Sequence, residues 1–517
     1  MSEMEVALLI SGDHLPQPGR LNGRRWVAQS WLRHWCATVS SETLNLLLSS
    51  PTPSTLSALQ PLLSQLGWTK HVQLLDLASV SVMETQDVIF IPDPSIARWA
   101  QWRQQCGSTV CSLVGQIHTI SSAASLALLE ALVTEPVEPW DAVVCSSTAG
   151  RDVVVAVMND REEQLCRRTG CDLTQLRNRR PQLPVIPLPI NVEALLHLPC
   201  KAEARDRLGL PQNASVVLWL GRLSMLTKAD PWPTYLCLER VAQQLGHPLF
   251  LLECGPDDTE LQATHFAELR QLCPSLHFHR LGGSKAVDES LKHLALSAAD
   301  VAISLVDNTQ ETFGLSVAEA MAAGLPLVVS DWNGYRDLVQ HGVHGFRVPT
   351  RWARSASLVS SAMAWQHLWG VHEFPAHAGA LAQLVQVDID AAEQDLLTLL
   401  TQPAIAQAMG HVAQREAVGR FSGAVVMAQH RALFVDLQER RKAAPVQSPG
   451  AAALSLDPVR CFAGYASDHP PVSPSRDPVP PCSPVLRGRS ELWQMLKGLA
   501  DGVERDNLIQ DLCRKHL

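Results

Sequence analysis

The chain has 517 residues, which is too long for one hydrophobic core and favours two large domains with additional segments. Hydrophobic residues make up 46% and charged residues 18%, so most of the chain can fold around buried cores. The net charge of −9 argues against a nucleic-acid-binding protein, which usually presents a basic face, and we expect no nucleic-acid partner.

Short apolar runs separated by helix-like stretches predict strands in the first part of the chain, at residues 6–10, 87–91, 110–114, 142–145 and 185–188. After the first run, two arginines precede Val27, Trp31 and Trp35. This pattern favours a crossover helix that packs its aromatic residues on a sheet. The alternative is a basic, aromatic helix that makes a peripheral contact with a membrane surface.

The second part of the chain repeats this alternation, with strands predicted at residues 216–220, 249–253, 276–281, 300–305 and 325–330. Helical spacing lies between them, for example at residues 291–297 and 317–323. Alternating strands and helices imply parallel sheets covered on both faces. We therefore predict an α/β fold with two Rossmann-like domains facing across a cleft, where ligands bind at the carboxyl ends of the strands.

Composition divides the chain further. The predicted units are a first domain (1–195), a second domain (196–400), helices that close the core (401–441), a proline-rich linker (442–489) and a short helical tail (490–517). The linker follows from ten prolines between Pro445 and Pro484, a density that opposes regular structure. The short tail helices carry apolar stripes that need a surface, either on the core or on a protein partner.

Compartment and metal content are predicted from absences in the sequence. The thirteen cysteines form no CxxC pair and lack the spacing of metal ligands, which favours reduced thiols in a cytosolic protein. No apolar run reaches the ~18 residues that span a bilayer. The first residues carry two glutamates and no lysine or arginine, unlike a secretory signal. We expect a cytoplasmic protein, with the inner face of the membrane left open.

The segment from Asp307 to Pro326 carries the densest chemistry. Glu311 should lie in a loop at a strand's carboxyl end, and Glu319 inside the following helix. The amides that start this helix would form an anion site suited to a diphosphate, and they belong to Phe313, Gly314, Leu315 and Ser316. The alternative is an ordinary strand–loop–helix unit with two solvated acids.

A second segment, beginning at Gly221, adds two cations after a predicted strand. Arg222 offers a planar fork of donors and Lys228 a point charge, and both can converge on one diphosphate. The alternative is a pair of surface cations.

Together these residues resemble the retaining GT-B glycosyltransferases of family 4. The resemblance runs from about residue 216 to residue 349 and rests on the Glu311-x7-Glu319 pair and on the upstream Gly-Arg…Lys. Further matches are residues 330–337 and 342–346. The first domain matches less closely, at residues 19–23, which end at Gly23, at residues 115–119, which include His118, and at residues 185–191. The pattern departs from the family at Pro189, where glycine is usual, and at Lys228, which follows Arg222 by six residues instead of five.

The resemblance implies the following roles. Glu311 would bind hydroxyls of the donor sugar, and Glu319 would bind the ribose. Arg222 and Lys228 would neutralise the diphosphate, helped by the helix-start amides. His118 would face the transferring sugar, while Gly23 and Gly221 would belong to donor-binding loops. The donor would be a nucleotide-diphosphate sugar acting as substrate, with no cofactor, and the acceptor a glycan or a lipid-linked alcohol.

The predicted function is therefore a retaining, metal-independent glycosyltransferase, acting in cell-surface polysaccharide or glycoconjugate synthesis. Fixed cations and amides can stabilise the charge that develops on the leaving diphosphate. Asp388 and Asp390 have the Asp-x-Asp spacing of a metal-binding motif, but we predict that they form the capped start of a helix. Two other classes remain open, a nucleotide-sugar epimerase and a non-catalytic nucleotide-sugar binding module.

Overall fold

The protein is described by a computed structural model that covers residues 4–11, 14, 23–48, 53–77, 79, 81–446, 448–451 and 453–465. The strands are β1 (Val6–Leu9), β2 (Thr43–Leu48), β3 (His71–Asp76), β4 (Val88–Ile91), β5 (Ser112–Gln116), β6 (Ala142–Val144), β7 (Ser215–Leu220), β8 (Leu249–Pro256), β9 (His277–Gly283), β10 (Val301–Ser304), β11 (Leu327–Ser330), β12 (Gly345–Val348), β13 (Thr350–Trp352) and β14 (Val385–Val387).

The helices cover both faces of the sheets and continue beyond them. They are α1 (Gly23–Thr38), α2 (Pro53–Gln65), α3 (Val82–Thr85), α4 (Ile96–Arg103), α5 (Ala123–Thr134), α6 (Thr148–Thr169), α7 (Leu173–Arg177), α8 (Val192–Leu196), α9 (Lys201–Leu208), α10 (Pro231–Gln244), α11 (Glu260–Gln271), α12 (Glu289–Ala298), α13 (Leu315–Ala322), α14 (Tyr335–Leu338), α15 (Ala356–Leu368), α16 (Phe374–Ala382), α17 (Ile389–Thr401), α18 (Pro403–Phe421), α19 (Gly423–Ala443) and α20 (Pro458–Cys461).

Two six-stranded sheets share one topology. Their orders are β3-β2-β1-β4-β5-β6 and β12-β11-β10-β7-β8-β9, and every neighbouring pair in them is parallel. The order in which the strands are added changes direction between β1 and β4 in the first sheet. In the second sheet it changes between β7 and β10. These switch points leave a crevice at the carboxyl ends of the strands, where doubly wound proteins bind ligands. The predicted fold of two Rossmann-like domains is confirmed.

Helix α1 packs on the first sheet through its aromatic residues. Val27, Trp31 and Trp35 are all buried. The ring of Trp31 stacks on Phe90 of β4 with 4.0 Å between ring centroids. The alternative of a membrane-surface role for these aromatic residues is therefore wrong, because their apolar area already forms core.

The long helix α19 returns from the second domain and packs against α1 on the first sheet. Trp31 Nε1 donates to His430 Nε2 at 3.2 Å, and burial lowers the pKa of His430 to about 3, so its ring stays neutral and accepts. Arg441 near the helix end pairs with Asp87 at 2.9 Å. The linker was expected to begin at residue 442, but α19 continues to Ala443. The basic last turn of α19 suits the C-terminus of a helix.

Two further differences concern the segments around the sheets. Residues 185–188 make one isolated bridge, between Cys145 and Val185, instead of the predicted strand, because the flanking prolines cannot donate to a ladder. A helical hairpin, α15 and α16, follows β12 and is closed by the antiparallel pair β13–β14.

No helix in the described part of the chain is long and apolar enough to cross a membrane. The predicted tail at 490–517 and most of the linker lie outside the described residues.

Candidate functional site

The predicted site residues gather at the switch point of the second sheet. Strands β7 and β10 are hydrogen-bonded neighbours there. The loop after β7 carries Gly221, Arg222 and Lys228, and the loop after β10 carries Glu311. Two segments that are far apart in sequence therefore meet at adjacent strand ends, which is where the topology opens a ligand crevice.

Lys228 and Glu311 form the central ion pair of this crevice. Lys228 Nζ lies 3.0 Å from Glu311 Oε2, and the side chains are 36% and 15% exposed. The backbone amides of Thr312 and Phe313 donate to the other carboxylate oxygen at 3.2 and 3.3 Å. Burial would raise the pKa of Glu311, but Lys228 and the two amides hold it below its usual value. The loop thus presents an ionised carboxylate and a half-exposed ammonium side by side.

The helix start that was predicted to bind anions is α13. It begins at Leu315, and its first turn includes Ser316, with Gly314 at the N-cap in a left-handed conformation (φ 111°). A Cβ on Gly314 would lie 2.4 Å from the ring of Tyr335, so only glycine lets α14 approach this closely. The amide of Phe313 is engaged by Glu311 instead of pointing into an anion site, which corrects part of the prediction. The side chain of Phe313 is buried in the core.

Glu319 lies one turn into α13 and pairs with a residue that the sequence did not single out. Its Oε1 lies 2.8 Å from Lys292 Nζ on α12, and both side chains are almost buried. Burial lowers the pKa of Lys292, but Glu319 and Glu289 together raise it above its usual value, so this lysine is charged. Helical spacing identifies the apolar face of α12 but does not indicate that Lys292 reaches across to α13.

Arg222 is held by an acid on the neighbouring loop. Its Nη1 lies 2.6 Å from Asp258 Oδ1, and Ser224 Oγ donates to the other oxygen at 2.8 Å. Burial favours the neutral acid, but Arg222 and Ser224 lower the pKa of Asp258 below its usual value. The ion pair with Asp258 holds the guanidinium at the crevice, where the arginine side chain is 29% exposed. The sequence did not indicate Asp258 as a partner of Arg222, because Asp258 follows β8 and Arg222 follows β7. Lys292 was missed for a similar reason, since it lies on α12 and its partner on α13.

The loops are tied together by two further residues that the sequence did not single out, Asn308 and Asp307. Asn308 is fully buried, and its Nδ2 donates to the carbonyl of Leu226 at 2.9 Å. Asp307 accepts from the amide of Asp230 at 3.3 Å. Burial and the charge of Asp230 raise the pKa of Asp307 to about 7. These contacts hold the segment between Leu226 and Asp230, which includes Lys228, against the loop of Glu311.

The first domain contributes His118 and Ser147 from the opposite side of the crevice. His118 follows β5 and donates from Nε2 to the carbonyl of Pro92 at 2.8 Å, so its ring orientation is set by the loop after β4. Ser147 Oγ donates to the carbonyl of Thr312 at 2.6 Å, which brings the first domain directly against the Glu311 loop. Gly23 is the first residue of α1, and residues 15–22 of its loop lie outside the described residues.

The Asp388–Asp390 pair is a helix start, as predicted. Asp388 is the N-cap of α17, and its Oδ1 accepts from the amide of Ala391 at 3.0 Å. Within the described residues, no group of three or more His, Cys, Asp or Glu side chains is placed to hold a metal ion.

The second domain matches a known family in sequence. Residues 201–367 match the glycosyl transferases group 1 family. A D-inositol 3-phosphate glycosyltransferase from Nocardioides is 29% identical over 253 residues, which cover 46% of this chain and 51% of that protein. The chain thus spans about half the length of the curated relatives it matches.

Solved structures match over a larger part of the chain. A glycosyltransferase from Rickettsia africae has a TM-score of 0.51 at 12% identity and covers 84% of this chain and 99% of its own. Anabaena HepE in complex with UDP has a TM-score of 0.50 at 17% identity and covers 84% and 100%. At such identities the likeness concerns the fold. Residues 201–367 are thus similar to the glycosyl transferases group 1 family, and the solved structures show that the fold of the chain is of the GT-B type.

Proposed function

We propose that the protein is a retaining glycosyltransferase that moves a sugar from a nucleotide-diphosphate donor to an alcohol on a glycan or a lipid-linked acceptor. The observation that carries the proposal is the Lys228–Glu311 pair at the β7–β10 switch point, inside the family-matched segment. A largely buried carboxylate and a half-exposed ammonium suit the two parts of such a donor, its sugar hydroxyls and its diphosphate. We further propose that the reaction belongs to cell-surface polysaccharide or glycoconjugate synthesis.

The donor would lie with its diphosphate between the two cationic loops. Lys228 exchanges part of its contact with Glu311 for a phosphate oxygen, and Arg222 turns one face of its fork from Asp258 to the other phosphate. Gly221, with φ 138°, lets the backbone pass close to the ligand. The amides of Gly314, Leu315 and Ser316 add the positive end of α13. Glu319, positioned by Lys292, accepts from the ribose hydroxyls.

The transfer step breaks the bond between the anomeric carbon and the diphosphate oxygen and forms a bond to the acceptor oxygen on the same face. The electron pair of the broken bond leaves on the diphosphate, where Lys228 and Arg222 stabilise it. The acceptor proton passes to the leaving phosphate oxygen. Because the negative charge on the diphosphate increases in the transition state, the cations raise the rate as well as the affinity. His118 contacts the transferring sugar from the first domain.

A donor panel tests this proposal. UDP-, GDP- and ADP-sugars are incubated with the protein, without and with alcohol acceptors, and released nucleoside diphosphate is measured. Release that increases with an acceptor, and a product whose anomeric configuration matches the donor by proton NMR, support retaining transfer. Release with inversion contradicts retention. Donor conversion to an epimer without any acceptor would assign the site to an epimerase, and tight donor binding without turnover would assign it to a binding module.

A further inference from the structure

Helix α15, in the hairpin between β13 and β14, exposes an unusual amount of apolar surface. Leu358 is 81% exposed, Trp365 59%, Leu368 62% and Trp369 69%, and Val371 follows at 66%. Trp365 and Trp369 contact each other edge to face, with ring centroids 5.6 Å apart. The exposed residues at 358, 365 and 368–369 recur at helical spacing, so they form one stripe, here named the α15 stripe.

The opposite side of α15 already has partners. His367 Nε2 accepts from the amide of Ala123, the first residue of α5, at 3.3 Å. Its ring stacks on buried His377 of α16, with centroids 4.6 Å apart. The helix is thus anchored to the first domain and to its own hairpin, while the α15 stripe faces away from both.

The segment that carries the stripe is locally basic in a chain that is negative overall. Residues 338–372 contain three arginines and no aspartate or glutamate, whereas the chain has a net charge of −9. One of the three, Arg347, pairs with Asp331 at 3.4 Å, which leaves Arg351 and Arg354 beside the stripe. Arg351 and Arg354, just before α15, are exposed, and Trp352 between them is 46% exposed. Arg351 donates to Gln386 at 2.7 Å and forms no ion pair with any acid in the described part of the chain.

We propose that the α15 stripe docks on a membrane surface that carries anionic headgroups. Tryptophans are suited to the boundary between headgroups and acyl chains, and leucines insert below them. The exposed Arg351 and Arg354 alongside can attract anionic lipid. A protein partner would match the apolar stripe equally well, but the lack of any acid over 35 residues favours a surface of diffuse negative charge. The proposal goes beyond the proposed function and does not depend on it.

Vesicle co-sedimentation of the full chain tests this docking without any activity measurement. The vesicles consist of phosphatidylcholine alone or of phosphatidylcholine with about 30% phosphatidylglycerol, a fraction that gives a clearly negative surface potential. The unmodified chain should sediment with the anionic vesicles and not with the neutral ones. The triple variant Leu358→Ser, Trp365→Ser, Trp369→Ser should lose sedimentation, and Arg351→Gln with Arg354→Gln should weaken it roughly fivefold for each arginine.

Matched controls separate docking from misfolding. Leu261 and Leu272, near the two ends of α11, are 66% and 60% exposed, so Leu261→Ser with Leu272→Ser removes exposed apolar surface away from the stripe. This control should sediment like the unmodified chain, and all variants should keep its melting temperature. The proposal is overturned if the triple variant still sediments, if neutral vesicles bind equally well, or if the stripe instead mediates a dimer that ignores vesicles.

Discussion

Asp307 shows how a single buried group at the site responds to pH. Its pKa is raised to about 7 by burial and by Asp230, whereas an exposed aspartate has a pKa near 3.8. Below the ordinary pKa both the folded and unfolded states hold the proton, and the full contribution to stability is present. As pH rises towards 7, the unfolded chain releases its proton while the folded chain retains it, so stability is lost.

Replacing Asp307 with asparagine should remove this dependence. Asparagine can still accept the Asp230 amide, but it carries no charge. Asp307→Asn should therefore raise the free energy of unfolding at pH 8 by on the order of 2 kcal/mol and leave it nearly unchanged at pH 4. Denaturant unfolding at both pH values measures this, with exposed Asp160→Asn as the control. An equal gain at both pH values would show that Asp307 is not the titrating group.

Glu311 should be needed for turnover more than for folding. It lies in a loop, and its carboxylate binds Lys228 and two amides instead of apolar core. We expect Glu311→Gln to lower donor turnover roughly 100-fold or more, the scale of a lost transition-state contact, while the melting temperature changes little. Steady-state kinetics with a confirmed donor measures this, and exposed Glu268→Gln on α11 serves as the control. A near-normal rate for Glu311→Gln would refute the role of this carboxylate.

At the scale of elements, the helix that carries Glu319 is fixed by a close approach of α18. A Cβ on Gly410 of α18 would lie 2.1 Å from the carbonyl oxygen of Gly324, just after α13. Gly410→Ala should therefore push α18 away and cost about 1–3 kcal/mol of stability, as overpacking does. Gly419 lies in the same helix with nothing within 4 Å of a Cβ.

The matched variant Gly419→Ala should instead gain about 0.5–1 kcal/mol, because alanine loses less backbone entropy than glycine when a helix forms. Thermal unfolding of both variants gives the sign directly. If Gly410→Ala were as stable as Gly419→Ala, the α13–α18 contact would be looser than described. A donor KM that rises only for Gly410→Ala would link this packing to Glu319.

The strands differ in how well the sequence predicts them. The central strands β1, β4, β7 and β10 were predicted because each is a short, predominantly apolar run, and with them came the loops of Arg222, Lys228 and Glu311. Strands β2, β3 and β12 were missed. β3 mixes exposed polar residues with buried ones, and β12 is a short strand that carries the partly exposed Arg347.

The partners of the site residues could not be predicted in the same way. Lys292 binds Glu319 from 27 residues away, and Asp258 binds Arg222 from 36 residues away. Such contacts depend on which strand ends become neighbours, and local periodicity carries no information on that order. The sequence pattern therefore predicts the residues that follow strands. It does not predict the side chains of other elements that form ion pairs with them.

At the scale of the whole molecule, the two domains are coupled through the loop that carries Glu311. Ser147 donates to Thr312, and Thr148 donates through its amide to Asp337. Arg420 of α18 donates to the carbonyl of Asp337 at 3.2 Å, and α19 then continues onto the first sheet. The crevice is thus bounded by elements from both halves of the chain. A donor bound there is held by the second domain and faces the first.

This arrangement predicts that catalysis does not need a divalent metal. Arg222, Lys228 and the start of α13 together offset the diphosphate charge, the part that Mg²⁺ plays in other nucleotide enzymes. The rate with a confirmed donor should therefore be unchanged in excess chelator and on addition of Mg²⁺ or Mn²⁺. Activity that vanishes in chelator and returns with either ion would refute this prediction.

The ammonium of Lys228 should act on the leaving diphosphate, and the rates of three proteins decide whether it does. Nucleoside diphosphate release from a confirmed donor is measured for the unmodified chain, for Lys228→Ala and for Arg207→Ala, an exposed cation on α9. We predict a loss of roughly 100-fold or more for Lys228→Ala alone, with its fold retained and Arg207→Ala unaffected. Equal rates for all three proteins would contradict the assignment of this crevice as the donor site.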